Sequence, residues 1–437
     1  MFTARPPVAW LHAPVYSYGL GIGTLNCGPQ MLGPAPPFAP DHQTPPLSCA
    51  NGASLANAPR GNVDLLDPNL RMARSLRGAV DYDRQLPWNL AASTEVLVTR
   101  GLSDFAFVNL NLVGPQAQDR NGRVMYGTIV PGAGASPVLR SSFPEVIDLQ
   151  NVSRNHAVQL SARLERQWGE AVTAMASYTF SRVRDAQTPL RVNTAKPGTD
   201  NWASRALSGR EDDLSPGISL NDIPHRVVFA GTRRASWHGW PTVISAYYVG
   251  ESGSPFSYMA YGGNPALGDL NADGSNTNDP IYVPKSALDT NEIRFAQYTR
   301  QLNGRTDTVT AGQQGQALER FIEGSSCLRR QRGRIVTRNS CREPWSNTLV
   351  ASLRQGIPLG SRSAEMQFDV YNLLNLLDRA WGQYRVANPS LLQQVNETAG
   401  PPTTSHPIFN FSTTRTQWNT LPAQSAFQLQ LALRYRF

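Results

Sequence analysis

Phe427-Gln428-Leu429-Gln430-Leu431-Ala432-Leu433-Arg434-Tyr435-Arg436-Phe437 is the stretch on which the fold turns. Phe427, Leu429, Leu431, Leu433, Tyr435 and Phe437 hold alternate positions. Gln428, Gln430, Ala432, Arg434 and Arg436 stand between them. Successive side chains of a strand point to opposite faces, so the stretch reads as a strand with one apolar and one mainly polar face. Such a strand suits a membrane barrel, where lipid-facing and lumen-facing residues alternate. An edge strand of a soluble sheet is the plainer alternative.

The same period runs upstream. Val158, Leu160, Ala162 and Leu164 alternate with Gln159, Ser161, Arg163 and Glu165. After a turn at Trp168-Gly169-Glu170, Val172, Ala174, Ala176, Tyr178 and Phe180 continue the apolar stripe. Similar pairs flank Leu86-Pro87-Trp88, residues 237–241 and Pro358-Leu359-Gly360, and Arg379 to Val386 reads as one more strand. About ten strands are expected. Their connections alternate in length. Short turns contrast with the stretches 113–153, 185–222, 251–345 and 388–420, which are rich in Gly, Pro, Asn and Asp. Short turns on one rim and long loops on the other describe an outer-membrane barrel. Tyr178, Phe180, Tyr247, Tyr248 and the tryptophans near turns are expected to form an interfacial belt.

Composition agrees. Charged residues are 16% and mean hydropathy is −0.35, a mixture that alternating faces produce. No run of 18 apolar residues exists, so a membrane helix is excluded. The net charge of +8 is almost all arginine, with Lys196 and Lys285 the only lysines. The arginines are scattered apart from Arg329, Arg330, Arg332 and Arg334, and a nucleic-acid partner is not expected. Met1 to Pro14 lacks a charged segment followed by an apolar one. A barrel has to be exported, so the expectation is a portion of a longer chain.

Three groups of residues are candidates for chemistry. Cys27 with Cys49 and Cys327 with Cys341 fit two local disulfides of an extracytoplasmic compartment, with four free thiols as the alternative. Asp269-Leu270-Asn271-Ala272-Asp273-Gly274 places oxygen donors at positions 1, 3 and 5 and Gly at 6, and Asp279 follows at 11. Oxygen donors so spaced can converge on Ca²⁺. Pro280 stands where an EF-hand has its Glu, and an Asx-turn-rich loop that bonds only its own backbone is an equal reading. Asp222 and His225, three apart at a strand start, are the best candidates for loop-borne catalysis. A hydrogen bond at a strand end is the commoner role for such a pair, and no catalytic residue is assigned.

In order along the chain, several segments resemble the C-terminal barrel of a TonB-dependent receptor of the Oar-like (OmpA-related) type. They are Val113-Gly114-Pro115-Gln116, Asn121 to Gly127, Tyr178-Thr179-Phe180-Ser181-Arg182, Pro224-His225-Arg226-Val227-Val228 and Ser252-Gly253-Ser254-Pro255-Phe256. Gly268 to Pro284 and Phe368-Asp369-Val370-Tyr371-Asn372-Leu373-Leu374-Asn375 also match. The aromatic end resembles the C-terminal signal read by the barrel assembly machinery. The resemblance runs from about residue 60 to 437. It implies a plugged barrel of 22 strands that takes up or binds an extracellular ligand. About half those strands and no plug are recognised in this sequence, so contact with TonB is expected only through a plug that it does not carry.

The expectation is therefore all-β. Residues 1–70 form a loop-rich segment with Cys27 and Cys49. Residues 71–437 form part of an antiparallel transmembrane barrel, in contact with the lipid of the outer membrane of a Gram-negative-type bacterium. The rival readings are a small complete barrel enzyme and a soluble Ca²⁺-stabilised adhesion module.

Overall fold

The computed structural model describes residues 62–127, 143–189, 197–263, 267–302, 304–360, 362–398 and 400–436, with Cys27, residues 34–37, 46, 48–52 and 139. Phe437 and most of the segment 1–61 lie outside the described residues. Nine long strands make one sheet: β1 (Arg74–Leu86), β2 (Leu90–Asn109), β3 (His156–Trp168), β4 (Val172–Asp185), β5 (His225–Trp237), β6 (Trp240–Glu251), β7 (Ser346–Leu359), β8 (Arg362–Tyr371) and β9 (Gln428–Arg436). Each pairs antiparallel with the next in chain order. Among the described residues β1 and β9 are not paired with each other, so the sheet is open.

The register separates the two faces. One row crosses seven strands as Gln167, Thr173, Thr232, Ser245, Ser352, Asp369 and Gln430. The ion pairs Arg163–Glu165, Arg226–Glu251 and Arg434–Glu365 lie on this same polar face. A row of the other face reads Ala92, Leu164, Ala176, Phe229, Tyr248 and Leu349. Another reads Ile244, Leu353, Phe368 and Leu431. These apolar side chains are the exposed ones: Phe229 is 52% accessible, Ile244 54% and Leu431 70%. A water-soluble sheet would cover such a surface, whereas lipid covers it in a barrel wall.

Short hairpins join the strands on one rim. His238 and Gly239 both have positive φ, which a two-residue turn requires if it is to follow the twist of its strands. Trp88, Trp168, Trp237 and Trp240 stand at this rim, all solvent-exposed, and form an aromatic girdle. Tyr247 and Tyr248 do not share the expected belt. They are consecutive in β6, so Tyr248 lies on the apolar face and Tyr247 on the polar one.

The long connections at the opposite rim depart further from expectation. Their described residues fold into a cap that holds the largest buried core among the described residues. Phe256, Tyr258, Ile281, Val283, Leu318, Ile322, Leu328, Val336, Leu391 and Phe411 are packed there. Within the stretch 251–345, helix α1 (Ala311–Gly324) buries Gln314, Leu318, Phe321 and Ile322. Its Thr310 and Gln313 cap it reciprocally, an arrangement that satisfies backbone donors at a helix start. Arg379 to Val386 is not a wall strand. Residues 379–384 are loop, and Arg385–Ala387 pairs with Trp418–Thr420 inside the cap. Val63–Leu66 of the N-terminal segment adds a short parallel strand beside Val146–Val152, which itself continues the sheet from β2.

The two faces predict opposite tolerance. Leu431→Arg is expected to cost ~2–4 kcal/mol of stability in a bilayer, and Gln430→Arg close to none. Unfolding in phospholipid vesicles checks this, and equal losses would reverse the assignment of faces.

Candidate functional site

The cap is joined to the sheet and to itself by arginines. Arg338 donates to Asp185 at the end of β4 at 2.8 Å. Arg342 pairs with Asp222, whose Oδ1 also accepts from the Val183 amide at 2.6 Å. His225 instead shares a hydrogen bond with the Tyr178 hydroxyl at 2.8 Å through Nδ1. The Asp222 carboxylate is thus engaged by Arg342 and the β4 backbone while the His225 ring bonds to Tyr178, and no hydrogen bond joins the two side chains. Arg332, from the arginine-rich run, bridges Glu319 and Glu323 on α1 at 2.5 and 2.6 Å. Disulfides join Cys27 to Cys49 and Cys327 to Cys341, the second inside the cap core.

Arg123 occupies the junction of three loops. It comes from the β2–β3 connection and is almost sealed from solvent. Its Nη1 donates to Asp279 Oδ1 at 2.9 Å, and Nη2 donates to the Pro280 carbonyl. Asp279 Oδ2 accepts from the Leu270 amide at 3.0 Å. Beside it, Asp269 accepts from the amides of Asp273 and Gly274 at 3.1 and 2.8 Å. Asn271 Oδ1 accepts from the Asp273 amide, and Asp273 Oδ1 from the Ser275 amide. Asn271 and Asn278 both donate to Asp273 Oδ2, at 3.1 and 2.8 Å. Asp269, Asn271 and Asp273 are therefore gathered in one turn of chain, with Asp279 held against its start by Arg123. Among the described residues, no three His, Cys, Asp or Glu side chains form a group arranged to hold a metal ion.

Two further strands of the network reach this loop. The Tyr126 amide donates to the Asn271 carbonyl at 2.8 Å, and the Leu207 amide to the Asn278 carbonyl at 2.7 Å. Glu211 accepts from the Asn109 amide at 2.7 Å and from Trp202 Nε1 at 2.5 Å. Arg205 donates to the carbonyls of Glu211 and Asp213. Burial raises these acids. Asp269 is pushed up to about 8 by burial and by the neighbouring Asp273. Burial lifts Asp279 well above the carboxylate range, although Arg123 opposes it. Glu211 rises to about 7 through burial, against the pull of the Asn109 amide, Arg205 and Trp202.

An adjoining cleft is lined by Asp119, Arg120, Tyr282, Glu292, Glu397 and His406. It mixes both charges with the apolar Leu270, Ile293 and Phe409, the composition of a site that orients a polar ligand. Glu397 is buried and pushed up to about 7 by desolvation, while hydrogen bonds from Ser405 and Gln394 act the other way. Arg120 lies against the His406 ring, and burial, reinforced by Arg120 and Arg294, lowers that imidazole. These positions are scattered over three loops, so no local motif announced the cleft.

Residues 24–380 match the family described as outer membrane beta barrel domain. The chain belongs to that family. The match covers the wall strands β1 to β8 and most of the cap, and it places the protein in the outer membrane of a Gram-negative-type bacterium, which excludes the soluble adhesion module. No curated protein matches the chain. With the sheet in the outer membrane, the apolar face meets lipid and the polar face meets the lumen. In barrels of this kind the short turns face the periplasm and the long loops the outside.

Glu397 gives a pH prediction for this barrel. An acid whose pKa is higher in the folded state binds more protons there, so stability falls as pH rises from its unfolded value near 4.5 to about 7. Glu397→Gln is expected to stabilise the cap by roughly 1–3 kcal/mol at pH 8 and to change little at pH 4. Hydrogen exchange of 388–411 at the two pH values measures it.

Proposed function

We propose that the chain is the barrel part of a TonB-dependent receptor of the Oar-like (OmpA-related) type. The cap captures an extracellular ligand in the cleft between Arg120, Glu292 and Glu397, and uptake runs along the polar face. Energy comes from TonB acting through a plug, and the barrel assembly machinery inserts the protein by reading β9. The observation that carries the reading is the combination of a mainly polar face with edges on β1 and β9 that have no partner strand among the described residues. Unpaired backbone groups in hydrocarbon cost several kcal/mol each, so this wall favours further strands and a lumen wider than nine strands enclose. The order of the segments resembling the family adds to it. The separate engagement of Asp222 and His225 favours a binding role over a catalytic one.

Formaldehyde cross-linking in the source bacterium tests the proposal. Antibodies to the cap are expected to detect a species heavier than the 47.9 kDa of this sequence that cross-links to TonB. A heat-modifiable monomer of that mass, indifferent to loss of TonB, would favour a small complete barrel instead.

A further inference from the structure

We propose that the turn Asp269–Asp279 binds one Ca²⁺, and that this ion clamps three extracellular loops of the cap together. The site is argued from charge, burial and one orphaned oxygen. Asp269, Asp273, Asp279 and Glu211 are neighbours that act on one another electrostatically, and Arg123 and Arg205 are the cations among them. Asp269, Asp273 and Asp279 thus stand in one desolvated turn, in which Arg123 pairs directly with Asp279. Ionised carboxylates so placed repel strongly unless a cation compensates them.

The orphaned oxygen belongs to Asn278. This residue is 2% exposed. Its Nδ2 donates to Asp273 Oδ2 at 2.8 Å, which directs the amide into the acidic cluster. Its Oδ1 is sealed from solvent and has no hydrogen-bond partner. A buried amide oxygen without a donor carries the full cost of its desolvation. Coordination to a cation removes that cost, and rotation of the amide does not, because Asp273 needs the donor where it is.

The donors also choose the ion. They are oxygens, with no thiolate or imidazole among them, and oxygen sets take Ca²⁺ or Mg²⁺ rather than zinc or copper. Acidic side chains alone do not complete a sphere here, so amide and peptide oxygens have to contribute. Ca²⁺ accepts such mixed sets in a flexible geometry, whereas Mg²⁺ demands a near-ideal octahedron. Gly274, at φ 96°, permits the chain reversal that brings positions 1, 3 and 5 together. Tyr126 and Leu207 hydrogen-bond to the backbone of this turn from two other loops, so ordering the turn orders all three.

Limited proteolysis of outer membranes from the source bacterium tests the proposal with the protein in place. With about 1 mM Ca²⁺, in the range that extracellular modules use, cleavage within 252–302 is expected to slow about ten-fold relative to chelator. Mg²⁺ at the same concentration should not substitute. Asp273→Asn protein should be cleaved at one rate in all three conditions. Should that variant fail to reach the membrane, equilibrium binding of radioactive Ca²⁺ to the wild-type protein in detergent decides, with about one ion per chain expected and retained against Mg²⁺. Cleavage unaffected by Ca²⁺, an Asp273→Asn protein that keeps the response, or no bound Ca²⁺ at this concentration would overturn it.

Discussion

Hydrocarbon offers backbone N–H and C=O groups no partner, so every strand that crosses a membrane has to find its hydrogen bonds in a neighbouring strand. Most of this architecture follows from that requirement. It makes β1 to β9 a strict meander, because strands in sequence are the nearest partners and short hairpins join them on one side. It also sorts side chains into rows. Once Phe368 is opposite Leu431 and Leu353, and Asp369 is opposite Gln430 and Ser352, a slip of one residue would turn the polar row toward lipid. Register and membrane insertion are thus two aspects of one constraint.

The same constraint moves the hydrophobic core out of the wall. A single sheet between lipid and a wet lumen has no second layer to pack on, and its large apolar residues remain accessible. The buried cluster forms where water returns, above the rim. There Phe256, Leu328 and Phe411 close around Leu318, Phe321 and Ile322 of α1 in the manner of a soluble domain. Arginines fasten this domain to the wall at Asp185 and Asp222, and Arg123 fastens its loops to one another.

What could be read from the sequence follows from the same physics. Alternation is local, so residues 158–180 and 428–436 disclosed their strands, and Gly169 and Gly360 their turns. Tyr247 was assigned to the wrong side because aromatic content was weighed above strict alternation. Arg379 to Val386 misled because a cap hairpin and a wall strand share residue types. The helix 311–324 did carry a signal, since Thr310 and Gln313 form a capping box ahead of Leu318, Phe321 and Ile322. Its Gly and Gln content obscured that signal. Of the junction, only the Asp269–Asp279 turn was legible. Its partners Arg123, Tyr126, Leu207 and Glu211 come from loops far away in sequence, and no local pattern specifies such contacts.

The central claim is that this sheet spans the outer membrane with its short turns inside and its cap outside. Single cysteines at exposed positions of the two rims test it directly, because the described cysteines are all held in disulfides. A membrane-impermeant maleimide should label Thr290→Cys in the cap on intact cells, and Glu170→Cys in the β3–β4 turn only after the outer membrane is opened. Labelling of Glu170→Cys on intact cells, or protection of Thr290→Cys there, would contradict the account.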